Sequence, residues 1–224
     1  MNSFSLKAGP EHDRRVVQFL LPSKKGKRLL VAVSGGADSA IMLYALCKFN
    51  KDFDLQHEFY PVTVDKADGA RVHSANVISW IEKKLDIKIN PPIIGGNQDL
   101  SHDKITNDFI FKVKDQEKFD CIYIGENAIP PIPFPFDEQN DFPGLAPVRK
   151  DNPFKIKSVD RFLPFDGLYK THTISLYYEL GIPELLEYTH TCTEQAIGNC
   201  GKCWQCSERR WAFRELGKID HQAI

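Results

Sequence analysis

Residues 28–49 read RLLVAVSGGADSAIMLYALCKF, and this stretch decides the fold. Residues 28–33 are a short run rich in Leu and Val, the pattern of a strand buried on both faces. Residues 39–49 are apolar and made of good helix formers. Between them lies Ser34-Gly35-Gly36-Ala37-Asp38-Ser39. A buried strand, a glycine turn and a helix together open an α/β fold.

The alternation continues downstream. A strand is expected over 55–64, bent at Pro61, and a helix over 70–85 with Val72, Ala75, Val77, Ile78, Ile81 and Leu85 on one stripe. A short strand is expected at 87–89, a helix at 103–118 with Ile105, Phe109, Ile110 and Val113 inward, and a strand at 120–124. Strands spaced by helices of this length predict a parallel sheet covered on both faces. Helical character returns at 168–180 and at 207–216. Upstream, residues 1–10 read as polar and frayed, and 13–21 as a short helix ending at Pro22. Residues 128–160 hold seven prolines and read as a long functional or mobile loop. The expected organisation is an N-terminal extension (1–27), an α/β domain (28–190) and a C-terminal cysteine loop with its helix (191–224).

Composition narrows the function classes. Lys plus Arg is 29 against 30 Asp plus Glu, a formal charge of -1. That balance excludes a polybasic arm as the main binding device. No run approaches the roughly eighteen apolar residues of a bilayer span. No apolar leader core is visible, so a reducing, cytoplasmic setting is expected. There, clustered cysteines hold metal more often than they pair with each other.

Four of the six cysteines, Cys192, Cys200, Cys203 and Cys206, fall together, the last three as CGKCWQC. Four soft thiolates at this spacing suit a closed tetrahedral Zn²⁺ site with a structural role, and Gly201 permits the knuckle turn. An iron–sulfur centre uses the same ligands, and spacing does not separate the two. Cys47 and Cys121 read as small buried hydrophobes.

In the glycine loop, Gly35 and Gly36 let the backbone approach an anion, and the following helix supplies free N–H groups and a positive dipole end. Ser34 and Ser39 add hydroxyls. The GxxxxGK[ST] pattern and the dinucleotide fingerprint are both absent. Asp38 beside phosphate makes sense with Mg²⁺ between the two. The alternative is a tight turn with Gly for steric reasons and Ser as a cap.

SGGxDS after a hydrophobic strand resembles the pyrophosphate loop of the N-type ATP pyrophosphatases. Its pairing with a C-terminal CxxCxxC resembles the 7-cyano-7-deazaguanine synthase family. Pro164, Leu168, Lys170 and Ile174 match that family's segment before a helix. Leu180-Gly181-Ile182 and Leu185 match its exit, and Thr191-Cys192, Cys200-Gly201-Lys202-Cys203, Cys206 and Arg209 match its zinc loop. The resemblance implies a Rossmann-like fold, ATP and Mg²⁺ as cofactors, ammonia and a small heterocyclic carboxylate as substrates, and a homodimer. It implies a carboxylate activated as an acyl adenylate with loss of pyrophosphate, and ammonia displacing AMP to give an amide. A second activation and loss of AMP then give a nitrile. Ser34 to Ser39 would bind pyrophosphate, Asp38 and Lys170 would serve catalysis, and Val62, Val64 and Gly125 would line the adenosine pocket.

The chain departs from that family at the acceptor side. Thr193 stands where a Tyr is usual, and GENAIPPIPFPFDEQNDFPG (125–144) replaces the usual GYPDCR region. An enzyme of the same superfamily with another acceptor, thiolating or amidating RNA or protein, is therefore the second reading. A nucleotide-binding interaction module is the third. Lys24, Lys25, Lys27 and Arg28, and Arg209, Arg210 and Arg214, are weak RNA-contact candidates. The Phe134–Phe136 pair reads as a purine stack or a loop anchor. His172 and His190 read as packed residues that could face the site.

Overall fold

The computed structural model describes residues 1–96, 102–130 and 161–222. Its centre is the expected strand–loop–helix: β3 (Arg28–Ala32) and α1 (Ala37–Asp52) joined by the glycine loop. Then follow β4 (Glu58–Val64), α2 (Ala70–Leu85), β5 (Ile93–Gly95), α3 (His102–Glu117) and β6 (Cys121–Tyr123). The strands β7 (Arg161–Phe162) and helices α4 (Lys170–Glu179) and α5 (Trp204–Glu215) complete the series, with a 3-10 segment at Pro183–Tyr188.

The sheet order is β5-β4-β3-β6-β7, and every pairing is parallel. Alternate residues of β3 serve opposite faces. Leu29 and Val31 join the large core with Ile41, Leu46, Val77, Ile81, Ile174 and Leu176, while Leu30 joins Val62, Val64, Ile110, Val113 and Ile122. Both faces are therefore covered, as the unbroken apolar run predicts. The chain moves outward from β3 on one side and restarts with β6 on the other. Their carboxyl ends thus flank the switch point where open α/β sheets bind ligands.

Two expectations are overturned upstream. The first residues are not frayed and 13–21 is not a helix: β1 (Asn2–Ala8) and β2 (Arg15–Leu21) form an antiparallel hairpin. Val17, Phe19 and Leu21 are buried while Val16 and Gln18 face out. That is a period of two, which the density of apolar residues in VVQFLL conceals. Phe4 and Phe19 pack on Phe49 of α1, and the Tyr123 hydroxyl donates to Leu20 O at 2.7 Å. The strand expected at 87–89 is also absent. Asp86 ends α2 at φ 49°, and the Glu82 carboxylate accepts from Ile89 N at 2.8 Å. The edge strand forms later, where Ile93 pairs with Val62.

Candidate functional site

The glycine loop closes on itself. Ser34 N donates to Ser39 Oγ at 3.2 Å, Gly36 N to Ser34 Oγ at 3.3 Å, and Ser39 Oγ to Gly36 O at 3.1 Å. No side chain caps α1, so its first turn faces the switch point with its orphan N–H groups available to an anion. Gly35 has φ +81°, and a Cβ there would lie 2.5 Å from His73 Cβ. Only glycine lets the loop run this close to α2. A Cβ on Gly125 would come within 3.3 Å of the Asp38 carbonyl. The strand end after β6 is thus pressed against the start of α1. His190 N donates to Gly35 O at 2.9 Å, holding the loop from the third side.

Asp38 and Lys170, far apart in sequence, meet as an ion pair. Lys170 opens α4 and is 5% exposed. The other Asp38 oxygen, Oδ1, accepts from Asn127 Nδ2 at 2.9 Å and from Thr173 Oγ1 at 2.7 Å. Lys170 Nζ also lies 3.5 Å from Glu208 Oε2. The half-buried Asp38 carboxylate and the buried Glu208 carboxylate thus share one buried ammonium at the carboxyl end of the sheet. Such burial is tolerated because each charge has partners. Tyr177 fixes the helix start from below, its hydroxyl donating to Ala37 O at 2.5 Å.

Sequence reasoning missed Asn127, Thr173 and Glu208. Thr173 was accessible in principle, being three residues after Lys170 on the same helical face. Asn127 sits two residues past Gly125, at a strand end. Its Oδ1 is buried without a hydrogen-bond partner, the kind of orphan that a ligand satisfies. Val62 and Val64 lie at the carboxyl end of β4 with side chains in the smaller core. Phe134 and Phe136 lie outside the described residues.

The four cysteines converge. Their sulfurs all lie within 4.8 Å of one another. A tetrahedral shell with ordinary Zn–S bonds spaces its sulfurs about 3.8 Å apart, so the donor set fits such an ion. Cys203 N donates to Cys200 Sγ at 3.2 Å, and Cys206 N to Cys203 Sγ at 3.5 Å. Gly201 makes the turn at φ +69°. A hydrogen bond from the Cys206 thiol holds the Cys203 thiol down to about 4, while that same bond pushes Cys206 up.

The remaining candidates have structural duties. His172 is fully buried and reaches back to the hairpin, with Nε2 2.9 Å from Asp13 O. His190 stacks on His73 with ring centroids 4.0 Å apart. Arg209 is turned inward, gripping Asp220 at 2.7 and 3.0 Å and Thr189 at 2.9 Å. It therefore contributes to no exposed basic patch. Lys25 pairs with Asp54 and Lys27 with Asp120. No helix among the described residues is long and apolar enough to cross a membrane.

The family described as Queuosine biosynthesis protein QueC matches residues 113–217. The 7-cyano-7-deazaguanine synthase of Saccharolobus solfataricus is 24% identical over 231 residues, covering 90% of this chain and 48% of its own length. The 7-cyano-7-deazaguanine synthase of Persephonella marina is 39% identical over 59 residues, 26% of this chain and 25% of its own length. The chain spans about half the length of the archaeal relative. Among solved structures, the U34-tRNA thiolase NcsA from Methanococcus maripaludis with its [4Fe-4S] cluster is similar at 16% identity and TM-score 0.45, covering 88% of this chain and 75% of that one.

Proposed function

We propose, for a chain that belongs to the PP-loop ATP-pyrophosphatase superfamily as a divergent homologue of the 7-cyano-7-deazaguanine synthases, that it adenylates a small heterocyclic carboxylate. The acceptor in this reading is 7-carboxy-7-deazaguanine, which with ammonia becomes the amide or the nitrile. AMP and pyrophosphate are the other products. The observation that carries it is the uncapped start of α1 with Asp38 and Lys170 beside it. Those groups face the charge that develops on a departing pyrophosphate, where preorganised donors and cations accelerate most.

In this reading the loop N–H groups cradle the β and γ phosphates, and Lys170 balances their charge. Mg²⁺ would be held by Asp38 and would neutralise the leaving group. Gly125 lets the strand end after β6 approach the nucleotide. Asn127 and Thr173 keep the Asp38 carboxylate in one orientation. The cysteine loop folds the segment between α4 and α5 and takes no part in the bond changes.

A second reading keeps ATP cleavage and changes the acceptor to RNA or protein. It is favoured by the sequence of residues 125–144, which lacks the acceptor-side pattern of the synthases. One experiment separates the two. The protein is incubated with ATP, Mg²⁺, ammonia and 7-carboxy-7-deazaguanine, and the products are read by mass spectrometry. Amide or nitrile with AMP and pyrophosphate is the expected result. Intact ATP binding with neither product transfers the assignment to the second reading. Release of ADP and phosphate refutes both.

A further inference from the structure

Resting on the reading that pyrophosphate departs against Asp38 and Lys170, we propose that Glu208 is a positioning residue for Lys170, and that through it the cysteine loop governs the phosphate site. Asp38 Oδ1 is already occupied by Asn127 and Thr173. A cation that approaches Asp38 must therefore use Oδ2, the oxygen that Lys170 holds. Ligand binding requires the Asp38–Lys170 pair to open. A buried ammonium that lost its counter-charge at that moment would be strongly disfavoured. Glu208 Oε2, 3.5 Å from Lys170 Nζ, supplies a second counter-charge. Lys170 then swings toward the phosphate about a fixed carboxylate and does not drift.

The placement of Glu208 is not incidental to the helix. Its side chain is 5% exposed, where an unpaired carboxylate would be costly, so the position is built for a cation. It lies on the first turns of α5, two residues after Cys206 and five after Cys203. Cys203 caps that helix, its sulfur accepting from Cys206 N. The closure of the four thiolates therefore sets where α5 begins, and with it where the Glu208 carboxylate stands. The Arg209 clamp on Asp220, Thr189 and Thr191 fixes the same turn from the other side.

The test measures binding, not turnover, on the full chain. Calorimetry with pyrophosphate plus Mg²⁺, and separately with AMP, is run on the wild type, Glu208→Gln, Glu208→Asp, Lys170→Met and the double variant Lys170→Met/Glu208→Gln. Zinc per chain is measured on each. Glu208→Gln should lose tenfold or more in pyrophosphate affinity with AMP affinity and zinc unchanged, and Glu208→Asp should recover part of it. In the Lys170→Met background the Glu208→Gln change should cost nothing further, because the effect runs through the lysine. Undiminished pyrophosphate binding by Glu208→Gln overturns the proposal, as does an additive loss in the double variant. If Glu208→Gln sheds zinc, the same cycle is run with Glu208→Asp and the same criterion applies. A wild type that binds neither ligand refutes the reading of the loop itself, a result distinct from the other two.

Discussion

The cysteine cluster and the Asp38 cluster are both convergent polar sites, yet they are assembled in opposite ways. The four thiols come from one segment, 192–206, and are closed by backbone N–H bonds to sulfur within it. The Asp38 cluster draws Asp38 from the glycine loop, Asn127 from a strand end, Lys170 and Thr173 from α4 and Glu208 from α5. The first site is made by one loop, and its failure reaches the second only through Glu208 on α5. The second is made by the whole sheet-and-helix frame, so each member depends on the packing of the others.

The sharpest way to separate them is to remove one charge from the distributed site. Asp38→Asn should slow pyrophosphate release by about a hundredfold to a thousandfold, the scale of losing a metal contact or a preorganised oxyanion partner. Zinc should remain at one per chain by metal analysis. Loss of zinc in that variant would show that the two sites are one unit.

The converse change acts on the loop. Cys203→Ser should abolish stoichiometric zinc and expose the amides of α5 to hydrogen exchange, while α1 and β3 keep their protection. Iron with labile sulfide in the wild-type protein would replace the zinc assignment with a cluster.

A smaller effect is expected within the distributed site. Thr173→Val removes the 2.7 Å bond to Asp38 Oδ1 and should cost about 1–3 kcal/mol in transition-state stabilisation, read from kcat/KM, because the acceptor is charged. Thr173→Ser should restore most of it. Equal losses in both variants would mean that packing, not the hydroxyl, matters there.

The smallest effect lies at two buried imidazoles, His172 and His57, which meet the chain just before and just after β2. Burial holds the His172 imidazole below its ordinary range, with Asp13 opposing and Arg15 assisting. Burial does the same at His57. Above about pH 6.5 the native and unfolded chains are both neutral at these rings, and the stability is fully present. As pH falls below that, the unfolded chain takes up protons that the native chain refuses. Stability should then decline by at most about 1.4 kcal/mol per pH unit for each ring. Urea unfolding at pH 7.5 and 5.5 measures this. His172→Gln should flatten the slope, and an unchanged slope would remove His172 from the account.

Legibility followed the same division. The strand, loop and helix at 28–49 were readable because apolar periodicity and Gly-Gly are local signals, and the helix over 70–85 was readable to the residue. The hairpin was not: Val16 to Leu21 is apolar almost throughout, and only docking on α1 and α4 selects which side chains turn inward. Asp38 stood out within the glycine loop and Lys170 only through family resemblance, and no sequence pattern predicts their contact. Glu208 stands in the run SERR, where no local pattern marks one charge for burial.

The sequence by itself determined the alternating strands and helices of a parallel sheet, a glycine loop after its central strand and a four-cysteine loop, since each of these signals is carried by a short stretch of chain. The tertiary structure alone decided that Asn127, Thr173, Lys170 and Glu208 close around Asp38, and that Arg209 faces the core and not solvent. The physical reason is range. Backbone geometry and thiol spacing act over a few residues, whereas the pairing of buried charges is settled only when separate elements pack together and must satisfy each other's desolvated groups.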